Sequence, residues 1–232
     1  MRILVAVKSC QRDIERGCHQ VIRDTWGSKL PDNFDLMFFV GEGVKNTEAD
    51  EVSVKAPDAY KALSLKVNEI LRGALGFEYD YIVLVDTDTF INPKELAALP
   101  WGSFDYTGAW LTWEGGFAFG GCGFALSKKA AQVVVDRPPE DGMDDISIGN
   151  ILAPECGTRK LMWYTSDWDR RIGWHFPKNT YSAKTYDPQF PWMQMMYDYH
   201  VLHTDTSRTW TTVIGGAPRT HALILTGEDR GR

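Results

Sequence analysis

Apolar runs at 3–7, 36–40 and 81–85 alternate with two stretches of helical spacing, near 13–24 and at 58–75. Short continuous apolar runs mark strands buried on both faces, and their alternation with helices predicts a parallel α/β sheet. In the second helical stretch Tyr60, Leu63, Val67, Ile70, Leu71, Ala74 and Leu75 recur at spacings of three and four. Asp58 fits there as N-cap, and Gly73 or Gly76 as the stop. Beyond residue 88 the pattern predicts a short helix at Pro93–Leu99 and a strand at Tyr106–Trp113. A strand at Phe124–Leu126, a helix at Ser127–Asp136 and a helix near 145–153 follow. Past residue 157 the pattern defines no elements, and no internal repeat or low-complexity segment is visible.

With 232 residues, 44% hydrophobic and 24% charged, the chain can bury one substantial core, most simply as a single domain. No run approaches the roughly 18 apolar residues of a membrane span. Ile3–Val7 is too short for a signal-peptide core and lacks a cleavage site, so it reads as the first strand. The expected location is the cytoplasm of a bacterium or of a virus-infected cell, or else this is a soluble catalytic domain trimmed from a longer chain. Cys10, Cys18, Cys122 and Cys156 have no close metal spacing and are expected to be free thiols. The net charge of −6 is uneven: residues 1–156 hold 15 Lys/Arg against 24 Asp/Glu, and residues 157–232 hold 10 against 7. The basic part also holds Trp163, Trp168, Trp174, Trp192 and Trp210, which suits sugar stacking, base stacking or plain core packing.

The candidate chemistry centres on residues 81–92. The apolar run Tyr81–Val85 ends in Asp86-Thr87-Asp88. Ligands of open α/β sheets bind beyond the carboxyl ends of the strands, and hard divalent cations take carboxylate oxygens while leaving positions for phosphate. Strand-Asp-X-Asp is therefore a candidate metal-diphosphate site, with a solvated turn as the plain alternative. Glu114–Gly123 carries five glycines in ten residues, which permits close backbone approach to a ligand and matches neither the P-loop nor the dinucleotide fingerprint. Lys66 sits at the edge of an apolar stripe, where it either snorkels or reaches a ligand.

Five pieces then stand in order: Arg12…Arg16…Ile22-Arg23-Asp24-Thr25-Trp26-Gly27; Asp58-Ala-Tyr60-Lys-Ala-Leu63-Ser-Leu65-Lys66; Val85-Asp86-Thr-Asp88-Thr-Phe90-Ile-Asn92; Phe119-Gly-Gly-Cys-Gly123-Phe-Ala-Leu-Ser127; and Asp144-Asp145-Ile-Ser-Ile-Gly149. Together they resemble the fringe and β1,3-galactosyltransferase family of inverting glycosyltransferases (glycosyltransferase family 31). The resemblance covers residues 3–150 and only loosely the last third. It implies a GT-A fold, a mixed and mainly parallel sheet flanked by helices, with residues 1–110 binding nucleotide-sugar and 111–232 binding acceptor. It further implies a UDP-sugar donor, Mn²⁺ or Mg²⁺, and inversion at the anomeric carbon.

Carried residue by residue, the resemblance makes Asp88 a direct metal ligand and gives Asp86 a metal-bound water or the ribose. Thr87 stands where the family's middle carboxylate usually does. His175, in Trp174-His175-Phe-Pro177, is the implied third ligand, with His200 and His203 as competitors. The general base maps to Asp144-Asp145, with Asp145 favoured; helix capping is the alternative for either. Arg12, Arg16, Arg23 and Lys66 fall on the donor side, where arginine's fork suits a diphosphate. Gly120, Gly121 and Gly123 are expected against sugar or acceptor, and Trp110, Trp113 and the tryptophans of 168–192 along the acceptor. The acceptor is a glycan or glycoconjugate, a protein hydroxyl, or a hydroxymethylated base in phage DNA, the net negative charge weighing against DNA. The rivals are an inactive sugar-nucleotide or glycan-binding module, favoured by Thr87, and a metal-dependent phosphotransferase, which leaves the glycine loop unexplained. No membrane and no obligate protein partner are implied.

Overall fold

The computed structural model describes residues 1–46, 48–111, 116–138, 143–156, 163, 172–175, 210–214 and 217–221. Four parallel strands, β1 (Ile3–Lys8), β2 (Phe34–Val40), β3 (Glu51–Ser53) and β4 (Tyr81–Asp86), form most of the central sheet. Two further strands, β6 (Tyr106–Gly108) and β9 (Phe124–Ser127), complete it in the order β3-β2-β1-β4-β9-β6. Strand β9 runs antiparallel to both of its neighbours. The sheet is thus mixed and mainly parallel, as expected, and all six residues of β1 are buried.

Period-two alternation divides these strands between two faces. Leu4, Ala6, Ile82, Leu84, Phe124 and Leu126 meet Val67, Ile70, Leu71 and Ala74 of helix α3 (Leu63–Leu75). The same core takes in Ala130, Ala131 and Val134 of α5 (Lys128–Asp136) and Ile148 and Leu152 of α6 (Asp144–Leu152). Burying each of the larger side chains contributes about 1.5–3 kcal/mol. Toward β2 the cover is different: His19 of helix α2 (Cys18–Asp24) stacks on Phe38 with ring centroids 4.1 Å apart.

Several boundaries depart from the sequence reading for local reasons. The helix expected over 13–24 is two, α1 (Gln11–Glu15) and α2, broken at Gly17, whose φ of 73° is left-handed. Asp58 does not cap α3. A 3₁₀ turn at Tyr60–Ala62 precedes that helix, and the Asp58 carboxylate accepts instead from the Gln11 and Gly41 N–H groups and from Lys66. The strand expected over 106–113 divides into β6 and β7 (Trp110–Leu111). At Ala109 the backbone turns its carbonyl to the Phe119 N–H, and β7 then pairs with β8 (Phe117–Ala118) instead of β9. Ser127 caps α5, its side chain accepting from the Ala130 N–H at 3.2 Å.

After β4 the chain makes β5 (Thr89–Ile91) and then α4 (Pro93–Ala97), capped by Asn92. β10 (Gly173–His175) returns to pair antiparallel with β5. The chain forms two compact units, Met1–Phe176 and Pro177–Arg232. In the second, β11 (Trp210–Ile214) and β12 (Ala217–His221) pair as an antiparallel hairpin. None of the four cysteines is in a disulfide, and no helix among the described residues is long and apolar enough to cross a membrane.

Candidate active site

The sheet's connections diverge at one place. From β1 the chain proceeds outward through β2 to β3, then returns to β4 on the other side of β1. Such a switch point opens a crevice at the carboxyl ends of the two strands, where α/β sheets bind ligands. The last residues there, Lys8 of β1 and Asp86 of β4, are in direct register.

Asp88 lies just past that edge and is buried; its Oδ2 is 3.6 Å from His175 Nε2. The approach is fixed by backbone pairing, since β10 sets His175 opposite Thr89. Trp174 packs edge-on against Phe90, ring centroids 5.5 Å apart. Two ligands at roughly 2.1 Å from one ion stand about 3–4 Å apart, so a carboxylate oxygen and an imidazole nitrogen at this spacing fit a shared divalent cation. Asp86 Oδ1 is 3.0 Å from Lys8 Nζ, and among the described residues no three His, Cys, Asp or Glu converge as a metal cluster. His200 and His203 lie outside the described residues.

The glycine loop holds this pair against the helix bearing Asp144 and Asp145. Gly120 N–H donates to Asp145 Oδ2 at 2.9 Å, and Thr89 Oγ1 donates to the Gly121 carbonyl at 2.9 Å. A Cβ on Gly121 would meet His175 Cγ at 2.7 Å and Nδ1 at 2.8 Å. Gly123, at φ 84°, needs the left-handed region and passes over Val85. These glycines were expected against sugar or acceptor; the described contacts are with Asp145 and His175. Gly121→Ala should displace the His175 imidazole from Asp88, a movement that a crystal structure of the variant would show.

The two acidic residues of α6 differ in partners. Asp144 Oδ2 is 2.6 Å from Lys8 Nζ. Asp145 is held by the Gly120 N–H through Oδ2 and by the Ile146 N–H through Oδ1. Burial pushes the Asp145 carboxyl up, the Gly120 hydrogen bond opposing and Asp144 adding to the rise. Burial likewise pushes Asp86 up to about 6, Lys8 opposing and Asp88 and Asp144 adding. For Lys8 burial favours the neutral amine, but Asp144 and Asp86 outweigh it and raise its pKa.

On the donor side the expected residues separate. Arg12 is exposed and Arg16 half-buried, one within α1 and one at its end, and neither forms an ion pair with a described carboxylate. Arg23 is engaged elsewhere: its Nε donates to Asp50 at 2.9 Å, its Nη2 reaches Glu51 at 3.2 Å, and its guanidinium lies 4.8 Å from the Phe38 centroid. Lys66 is buried, donating to the Ser9 carbonyl at 2.6 Å and to Asp58 at 2.8 Å, so it neither snorkels nor offers a free ammonium. Thr87 is buried too, and its hydroxyl donates to Asp13 at 2.7 Å. A carboxylate at 87 would face Asp13, which accounts for threonine there. Trp110 packs on Tyr106 in the core periphery, ring centroids 5.1 Å apart, and Trp113 lies outside the described residues.

Sequence reasoning missed Lys8. Its signal was the one that revealed Asp86, a charge closing an apolar strand run. It also missed Ser9, His19 and Glu51, buried in a chain of hydrogen bonds at 2.6 Å and 2.7 Å beneath the start of α1. Burial lowers the His19 pKa against the opposing pull of the Glu51 carboxylate.

No family model matches the chain, and no curated protein matches it. Solved structures do. Galactosyltransferase LgtC, in complex with donor and acceptor sugar analogues, superposes with a TM-score of 0.51 at 11% identity, over 85% of this chain and 96% of that one. The fold is that of the GT-A glycosyltransferases. Weaker matches are a glycosyltransferase involved in glycosylating the major capsid of PBCV-1 (TM-score 0.44, 11% identity, 76% of this chain, 94% of that one) and apo GlyE of Streptococcus pneumoniae TIGR4 (TM-score 0.42, 12% identity, 69% of this chain). The chain spans 45% of the length of GlyE. In this GT-A fold the Asp88–His175 pair and Asp145 lie beside the switch-point crevice.

Proposed function

We propose that this protein is a metal-dependent inverting glycosyltransferase. It moves a hexose or N-acetylhexosamine from a UDP-sugar to an acceptor hydroxyl, a glycan or glycoconjugate being favoured. The observation that carries the reading is the meeting of Asp88 with His175 at the carboxyl edge of β4. A buried carboxylate is costly without a partner, and the five-part resemblance to the fringe and β1,3-galactosyltransferase family supports the same site.

Asp88 and His175 would hold Mn²⁺ or Mg²⁺, whose chemistry is to neutralise charge on a departing diphosphate. Arg12 and Arg16, in and just after α1, would suit the diphosphate oxygens. Asp145 is the general base. It takes the proton of the acceptor hydroxyl; that oxygen forms its bond to the anomeric carbon as the bond to the β-phosphate oxygen breaks. UDP leaves with the electron pair, and one in-line displacement inverts the centre. A carboxyl pushed upward by burial is better matched to proton abstraction than an ordinary exposed one.

A screen of UDP-sugars tests this, reading UDP release with Mn²⁺ or EDTA and with acceptors including oligosaccharides and hydroxymethylated DNA. Mn²⁺-dependent release from one donor, increased by one acceptor class, is the expected result. Absence of release with every donor would remove the enzymatic reading in favour of a binding module.

A further inference from the structure

Lys8 ends the central strand of the sheet, and its side chain is almost wholly buried. A lysine is seldom buried this fully unless it is paired. Its Nζ touches two carboxylates from distant parts of the chain, Asp86 at 3.0 Å and Asp144 at 2.6 Å. One nitrogen thereby joins three elements: β1, β4, which leads into the metal-binding turn, and α6, which carries the base.

Two consequences follow from this placement. An ammonium on Asp86 Oδ1 competes with any cation for that carboxylate, leaving the metal to Asp88 and His175. Successive helical residues point about 100° apart, so fixing Asp144 also fixes the direction of its neighbour. That neighbour, Asp145, is turned to the Gly120 N–H. We propose that Lys8 is a positioning residue that withholds Asp86 from the metal and, through Asp144, aims Asp145 at the acceptor. The inference rests on the glycosyltransferase reading above and assigns the paired acids separate roles: Asp144 binds Lys8, and Asp145 accepts the proton.

Lys8→Met removes the charge at nearly constant shape. Free Mn²⁺ measured by electron paramagnetic resonance reports metal affinity without donor or turnover. With the competing ammonium gone, Mn²⁺ should bind about three- to tenfold more tightly. The kcat with saturating UDP-sugar should fall by roughly 100-fold as the base loses its aim. A lysine with only a structural role would weaken Mn²⁺ binding and turnover together, so unchanged or weaker Mn²⁺ binding overturns the proposal, as does an unchanged kcat.

If Lys8→Met does not fold, Lys8→Met/Asp144→Asn removes the Lys8–Asp144 charge pair together and is compared with Asp144→Asn. Tighter Mn²⁺ binding with kcat no lower than in Asp144→Asn supports the proposal; a further loss of kcat overturns it. A wild-type protein that binds no Mn²⁺ would remove the glycosyltransferase reading itself. Wild type that binds Mn²⁺ and transfers sugar, beside a variant with unaltered metal affinity, would overturn the Lys8 inference alone.

Discussion

Asp145→Asn lowers kcat by about 10²–10⁴-fold, the usual contribution of a general base, while Mn²⁺-dependent UDP binding stays near the wild-type value. Asparagine retains one oxygen, enough for the Gly120 N–H but not also for the Ile146 N–H, and has no basic site for the acceptor proton. In the metal-free protein at pH 7 the same substitution should remove the folding cost of the ionised carboxylate, at the loss of the hydrogen bond from the Ile146 N–H. Because burial raises the Asp145 pKa in the folded protein, the folded state holds that proton more tightly than the unfolded chain. The ionised group therefore disfavours folding once the pH exceeds its folded pKa, and the asparagine variant is free of that cost. The stability difference should shrink as pH falls below the ordinary carboxylate range. The wild-type rate should drop on the acid side at a pH above that range. Thermal melts and a kcat profile from pH 4 to 8 check both. Wild-type turnover in Asp145→Asn would refute the assignment.

Asp88→Ala should abolish transfer and reduce Mn²⁺-dependent UDP affinity by more than about 100-fold. Direct ligands contribute more than the supporting residues, whose loss costs 10–100-fold. His175→Ala should produce the same split, with residual metal-independent UDP binding unchanged in both. The parallel matters because Asp88 stands in the turn before β5 and His175 in β10, and the pairing of β5 with β10 brings the two together. If Asp88→Ala alone lost metal-dependent binding, His175 would be a packing residue against Phe119, whose ring centroid is 5.4 Å away. Calorimetric titration of UDP with and without Mn²⁺ separates these outcomes.

The fold was readable because its strands are continuous apolar runs: 3–7, 36–40 and 81–85 became β1, β2 and β4, which fixed the sheet's centre. Asp86 and Asp88 were visible for the same reason, as carboxylates at the end of a buried run. What remained hidden was the choice of partner, which is made in three dimensions. Arg23 looks the same in sequence whether it meets a diphosphate or Asp50, and β3 decides for Asp50. Asp58 carries every local mark of an N-cap, yet it ties Gln11, Gly41 and Lys66 together between the ends of β1 and β2. The glycine loop announced close approach without naming the approaching group, which at Gly121 is His175. Thr87, the feature that favoured a binding module, is explained by its buried hydrogen bond to Asp13, so it no longer argues for lost catalysis.

The claim on which the rest depends is that the carboxyl edge of β4 is a metal-nucleotide site. Crystals grown with Mn²⁺ and UDP, measured near the manganese absorption edge, test it most directly through the anomalous difference map. The account predicts one peak per chain between Asp88 Oδ2 and His175 Nε2, with diphosphate oxygens on its open side and Asp86 still on Lys8. A peak at another place, or bound UDP with no peak between those two atoms, would contradict it.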